Sequence, residues 1–198
     1  MTEKENQDVW DSALSLLSDN LIDFAVLLAL FALTVFIVTF AFGAAASYFR
    51  PAFLASGVIY SFMVIWFIST LYCSLDWVKE SGYIDYVDTI MKGLRRAVSD
   101  RRLLLIVLAL GFVAGLIAVT GVPLTGLLVA LYSGIALVGV GNPANVNFFG
   151  AFIDIGTKSR VAGTYLFATV LVVMIPLVHI VQFFMLPIAV AIISKRGK

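Results

Sequence analysis

Long apolar stretches, almost free of charge, decide what this chain can fold into. They run over Leu21–Gly43, interrupted only by Asp23 at its start, then Pro51–Cys73, Leu103–Thr120, Leu124–Val140 and Val161–Ser194. A helix needs about 20 apolar residues to cross a hydrocarbon core of ~30 Å. The first two stretches meet that length, the third and fourth fall a little short, and the last exceeds one upright crossing. Apolar residues make up 62% of the 198 positions and charged residues 13%. A soluble domain carries roughly 45–50% and 25%. A chain this short has no interior large enough to hide that surface from water. The sequence therefore predicts an all-α integral membrane protein and excludes an ordinary soluble enzyme, a disordered tail and a nucleic-acid-binding domain. A net charge of +1 gives no long-range attraction to nucleic acid.

Charge placement predicts topology. The first 20 residues carry Glu3, Glu5, Asp8, Asp11 and Asp19 in place of a basic head, so Leu21–Gly43 reads as a retained span rather than a signal peptide. If residues 161–194 cross twice, turning near Pro176 to His179, every Lys and Arg except Arg50 lies on one side. The positive-inside rule makes that side cytoplasmic, with both termini on it, in an inner or equivalent membrane. The expectation is about six membrane segments. One long helix over 161–194, kinked at Pro176 and Pro187, is the alternative.

Residues 8–17 and 85–94 resemble each other, and 147–156 forms a weaker third copy. Each opens on Asp or Asn, whose side chain accepts a free N–H at a helix start. Asp11 and Asp88 follow three residues on, where a carboxylate meets the positive helix end. In the second copy Tyr86, Val87, Ile90, Met91, Leu94 and Val98 form an apolar stripe at helical spacing, opposite Lys92, Arg95 and Arg96. Such helices lie in a membrane interface. The chain parses as a single membrane domain over 1–198, with a disordered tail at 1–7. Three units of interfacial amphipathic helix plus transmembrane hairpin follow, at about 8–76, 82–141 and 142–198. This repeat resembles the multi-pass membrane domain attached to some glycerophosphodiester phosphodiesterases, and several six-span families. The resemblance implies architecture only, because no catalytic residue carries over.

Chemistry-bearing residues are sparse. The single His179, near Gln182, is a possible polar site, or else a side chain bonded to a carbonyl freed by Pro176. Cys73 is the one thiol and reads as a small apolar residue. Gly111 and Gly115 share one face of the third span, and Gly126, Ala130 and Gly134 share one face of the fourth. Small faces let backbones approach in lipid. The short Gly121-Val122-Pro123 turn makes these two spans antiparallel neighbours, expected to touch through those faces. Arg95, Arg96, Arg101 and Arg102 are candidates for contact with anionic lipid head groups, or a plain topology signal. No catalytic, cofactor-binding or metal-binding residue is assigned and no cofactor is expected. The partners expected are the lipid bilayer and other membrane protein chains, not nucleic acid. The function that follows is a non-catalytic accessory subunit, assembly factor or scaffold of a membrane complex. A small permease or channel is the alternative, and a lipid-acting membrane enzyme using Asp85, Asp88 and the basic cluster is a third.

The topology is checked by cysteine labelling in a Cys73→Ser background, with one new cysteine in place of Thr2 or Lys198. Both sites should resist an impermeant reagent in intact cells and react after permeabilisation. Labelling of either from outside overturns the six-segment arrangement.

Overall fold

The computed structural model describes residues 15–49, 52–81 and 84–118, together with Ile135, Ala136, Val140, Pro187 and Val190. All regular structure among them is helical. After a helical stretch over residues 15–19 come α1 (Leu21–Tyr48), α2 (Ala52–Ser81), α3 (Tyr86–Ser99) and α4 (Arg101–Ala118). Apart from those five residues, the fourth to sixth expected segments, with Gly126, Ala130, Gly134, His179 and Gln182, lie outside the described residues, as do residues 8–14 of the first repeat copy and all of the third copy at 147–156.

Two helices, not six, are long and apolar enough to cross a membrane among the described residues, over Leu21–Phe42 and Leu54–Glu80. The third expected span falls on α4. With its leading Arg101 and Arg102 set aside, the described part of α4 is shorter than the ~20 residues a crossing needs, and Val119 and Thr120 of the expected span lie outside the described residues.

α2 is the hub of the fold and touches each of the other three helices. Its 30 residues reach about 45 Å. Polar side chains are admitted along it because they are satisfied within the helix. Ser69 Oγ donates to the Ile65 carbonyl at 2.8 Å, Thr70 Oγ1 to Trp66 at 2.9 Å and Ser74 Oγ to Leu71 at 2.8 Å. Each hydroxyl meets a carbonyl three or four residues back, so burial leaves none without a partner. Ile65, Ile68, Leu71 and Leu75 interleave with these positions and are almost wholly buried, with Leu103 and Val107 of α4 against them.

A close backbone contact joins α2 to α4. A Cβ placed on Gly57 would fall 2.8 Å from both N and Cα of Gly115, and closer still to the Gly111 carbonyl oxygen. A Cβ on Gly111 would lie 2.5 Å from Ser61 Cβ and 2.6 Å from the Gly57 carbonyl oxygen. Real side chains do not approach backbone so closely. The small face of α4, expected to meet the fourth span, thus meets Gly57 and Ser61 of α2. Those two residues are themselves four apart, so both helices present small residues at matching spacing. This contact joins residues of the first and second expected units.

α1 is attached more sparingly. Phe49 ends it in extended conformation, and the Ala52 N–H donates to the Phe49 carbonyl at 2.9 Å, folding α2 back beside it. Phe24 and Leu27 are buried, and Phe31 stacks on Phe67 with ring centroids 4.0 Å apart. Most of its remaining large apolar residues are exposed.

Gly57→Leu or Gly111→Leu should push α2 and α4 apart and cost on the order of 1–3 kcal/mol, the usual range for overpacking. Leu105→Ala, at an exposed position of α4, should cost less than about 1 kcal/mol. Thermal unfolding of the three variants in one detergent makes the comparison, and equal melting temperatures would refute the close contact.

Candidate functional site

α3 begins where its sequence predicts. The Asp85 side chain accepts from the Asp88 N–H at 3.1 Å, and Asp88 pairs with Lys92 one turn on at 2.7 Å. The cap and the carboxylate in the first turn both favour a helix of 14 residues.

The face that α3 turns inward differs from the expected stripe. Thr89, Gly93 and Ala97 are the buried residues. These small residues recur every four positions and let α3 cross α2 in close contact. A Cβ on Gly93 would lie 2.7 Å from Thr70 Cα and 2.9 Å from its nitrogen. Of the expected stripe, Tyr86, Ile90 and Leu94 are half-buried, while Val87, Met91 and Val98 are 74%, 48% and 44% exposed. At about 100° per residue, α3 therefore has three faces. The small one is packed, an apolar flank lies to one side of it and a charged flank to the other.

The two flanks point toward different ends of α2. On the apolar side, Trp66 Nε1 donates to the Ile90 carbonyl at 3.2 Å. Tyr86 Oη donates a short hydrogen bond to Asp23 Oδ1 of α1. On the charged side, Lys92 Nζ sits 4.6 Å from the centre of the Trp77 ring. Arg96 lies 3.5 Å from Asp76 Oδ2, donates to the Val140 carbonyl at 3.0 Å and covers the Tyr72 ring at 5.1 Å. From Trp66 to Trp77 is about 16 Å along α2, enough to take the ~10–12 Å width of one helix with its side chains. α3 lies across that interval like a collar. The hydrogen bond to Asp23 raises the Tyr86 hydroxyl above the ordinary tyrosine range, and partial burial adds to it. The Asp88 carboxylate likewise raises Lys92.

Of the four arginines singled out from the sequence, Arg96 is committed to these contacts. Arg95, Arg101 and Arg102 are exposed, and none has an ion pair among the described residues. Asp100, between the two helices, caps α4: its Oδ1 accepts from the backbone N–H of Arg102 at 3.0 Å and of Leu103 at 3.1 Å. That role was readable as an Asp three residues before Leu103, where the apolar run begins, but the sequence reading assigned no cap there. Gly57, Ser61 and Gly93 were also missed. Their signal was the small-residue spacing of four on α2 and the small strip on α3. Beneath the apolar flank, a cleft of about 70 Å³ opens between α1 and α2, lined by Leu27, Phe31, Thr34, Trp66, Phe67 and Ile90 among others. Thr34 and Thr70 at its wall spend their hydroxyls on carbonyls of their own helices, so its lining is effectively apolar. Cys73 is buried, and no group of three His, Cys, Asp or Glu side chains able to hold a metal occurs among the described residues.

Comparison of the chain with protein-family models, curated proteins and solved structures yields no match.

Tyr86 supplies a pH-dependent tie. Its hydroxyl is held protonated by Asp23, so the tie is complete below the ordinary tyrosine pKa of about 10 and is lost as pH rises through the elevated folded value. Phenolate absorbance should show Tyr86 among the tyrosines that titrate late. Tyr86→Phe should take one residue's amplitude out of the late absorbance change and leave stability less sensitive to pH above about 10. Asp85→Ala should cost about 1 kcal/mol, the usual value for a lost cap, read by thermal unfolding.

Proposed function

We propose that the chain is a multi-pass membrane protein without a catalytic centre, serving as an accessory subunit, assembly factor or scaffold within a membrane complex. The observation that carries this reading is the outward surface of α1. Ile22, Phe36 and Phe40 are 79%, 68% and 73% exposed, and Leu30, Leu33 and Ile37 extend the same surface over a helix of spanning length. A soluble monomer rarely exposes a continuous apolar patch of more than a few hundred Å². In a bilayer the same surface meets acyl chains or the helix of a neighbour at no hydration cost.

The three faces of α3 support a location for the water boundary. The collar crosses α2 near Thr70, with apolar residues on the side of Trp66 and charges on the side of Asp76 and Lys79. An interfacial helix partitions its faces in this way, with the apolar flank toward acyl chains and the cationic flank toward water. On this reading α2 spans from its start to about Thr70, and its last turns stand in the cytoplasm. The three-unit repeat, with both termini cytoplasmic, belongs to the same proposal.

Alkaline carbonate extraction should leave the full chain in the membrane pellet. A photo-crosslinking residue in place of Phe36 or Phe40 should capture a second protein chain, identified by mass spectrometry. The same residue in place of Ile65, which is buried between helices, should capture none. Release by carbonate overturns the membrane reading. Crosslinks to lipid alone from both α1 positions overturn the subunit reading.

A further inference from the structure

Arg101 and Arg102 open α4 at its positive end, where the helix dipole disfavours cations. Arg95 lies less than two turns before them on α3. The carboxylate between, Asp100, is held by two backbone N–H groups. The three exposed arginines thus flank the junction of α3 and α4 without ion pairs among the described residues. Such an arrangement leaves them open to an anion from outside the fold.

The surface adjoining the corner is apolar. Leu105 is 67% exposed on the second turn of α4, and Phe112 and Leu116 continue its outward face. Met91 and Val98 of α3 are exposed beside Arg95. Cations at one end of a strip with apolar side chains running away from them match one kind of molecule, an anionic head joined to hydrocarbon tails.

We propose that the α3–α4 corner is a binding site for an anionic phospholipid. Arg95, Arg101 and Arg102 contact the head-group phosphate, and the acyl chains lie along Leu105, Phe112 and Leu116. Charge complementarity selects the anionic lipid, and the apolar strip selects lipid over free phosphate. The site rests on the membrane reading above, because only a bilayer presents such a molecule at that depth.

The test uses the full chain purified in detergent, titrated separately with phosphatidylglycerol, phosphatidylcholine and inorganic phosphate. Binding is followed by native mass spectrometry and by melting temperature. Phosphatidylglycerol should remain bound and raise the melting temperature, whereas phosphatidylcholine and inorganic phosphate should not. The R95Q/R101Q/R102Q variant should lose affinity on the order of 100-fold, about five-fold per arginine. The corresponding triple lysine variant should keep most of it. If the triple glutamine variant fails to fold, Arg95→Gln alone should lose about five-fold. Equal affinity for the two lipids, undiminished binding by the glutamine variant, or equally tight binding of inorganic phosphate each overturns the site. So does tight binding of a soluble acidic peptide in place of the lipid. Carbonate extraction of wild type separates the two levels: a protein that stays in the membrane but ignores lipid charge loses this site and keeps the membrane reading.

Discussion

The approach of α2 and α4 at Gly57 and Gly111 sets the geometry on which the other contacts depend. With no Cβ on either side, the Gly57 carbonyl and the Gly111 backbone come within contact of one another. The two helices are then held close enough for Ile65, Ile68 and Leu71 to mesh with Leu103 and Val107. Dispersion is short-ranged, so a gap of 1 Å forfeits a quarter to a half of each contact's attraction. In the bilayer proposed above, whose interior is as apolar as the helices themselves, that packing is the main source of attraction left. The position of α3 follows from the same pair. Its C-terminus is tied to the start of α4 through Asp100, and its small face must land on Thr70 of α2.

The sequence showed where the long helices lie because spanning length and apolar continuity are local properties. Leu21–Gly43 and Pro51–Cys73 foretold α1 and α2, though α2 continues to Ser81. Its extra turns carry Asp76, Trp77 and Lys79, which look like loop in composition and stay helical because α3 packs against them. Asp85 was legible as a cap because capping needs only the residues next to it. The inward face of α3 was not legible. An apolar stripe points to the protein interior when there are only two surroundings, protein and water. α3 has three, and its interior face is chosen by size, through Thr89, Gly93 and Ala97, rather than by hydrophobicity. The four arginines formed a visible run, yet their division into one bound and three unpaired depended on Asp76, twenty residues before Arg96.

The polar groups of α2 answer the question of how a helix with several hydroxyls can be the most buried one. The hydroxyls of Ser61, Ser69, Thr70 and Ser74 are each spent on their own helix, so these four do not depend on a neighbour for a partner. What these residues contribute to packing is smallness. Thr70 lies under Gly93 and Ser61 under Gly111, and a larger side chain at either place would collide with backbone.

The separation of Gly57 from Gly111 along the chain has a consequence for synthesis. Ribosomes add about 5–20 residues per second, so α4 is made roughly 3–10 s after the small face of α2. During that interval the groove of α2 at Gly57 and Ser61 is shaped for a helix not yet made, while α1 and then α3 are made beside it. The Phe31–Phe67 stack and the turn at Phe49 then serve as the first foothold of the fold, holding a nascent hairpin until α4 arrives. A chain that stalled before Ala109 would leave that groove vacant, giving quality-control machinery a concave strip of small residues by which to recognise an unfinished molecule.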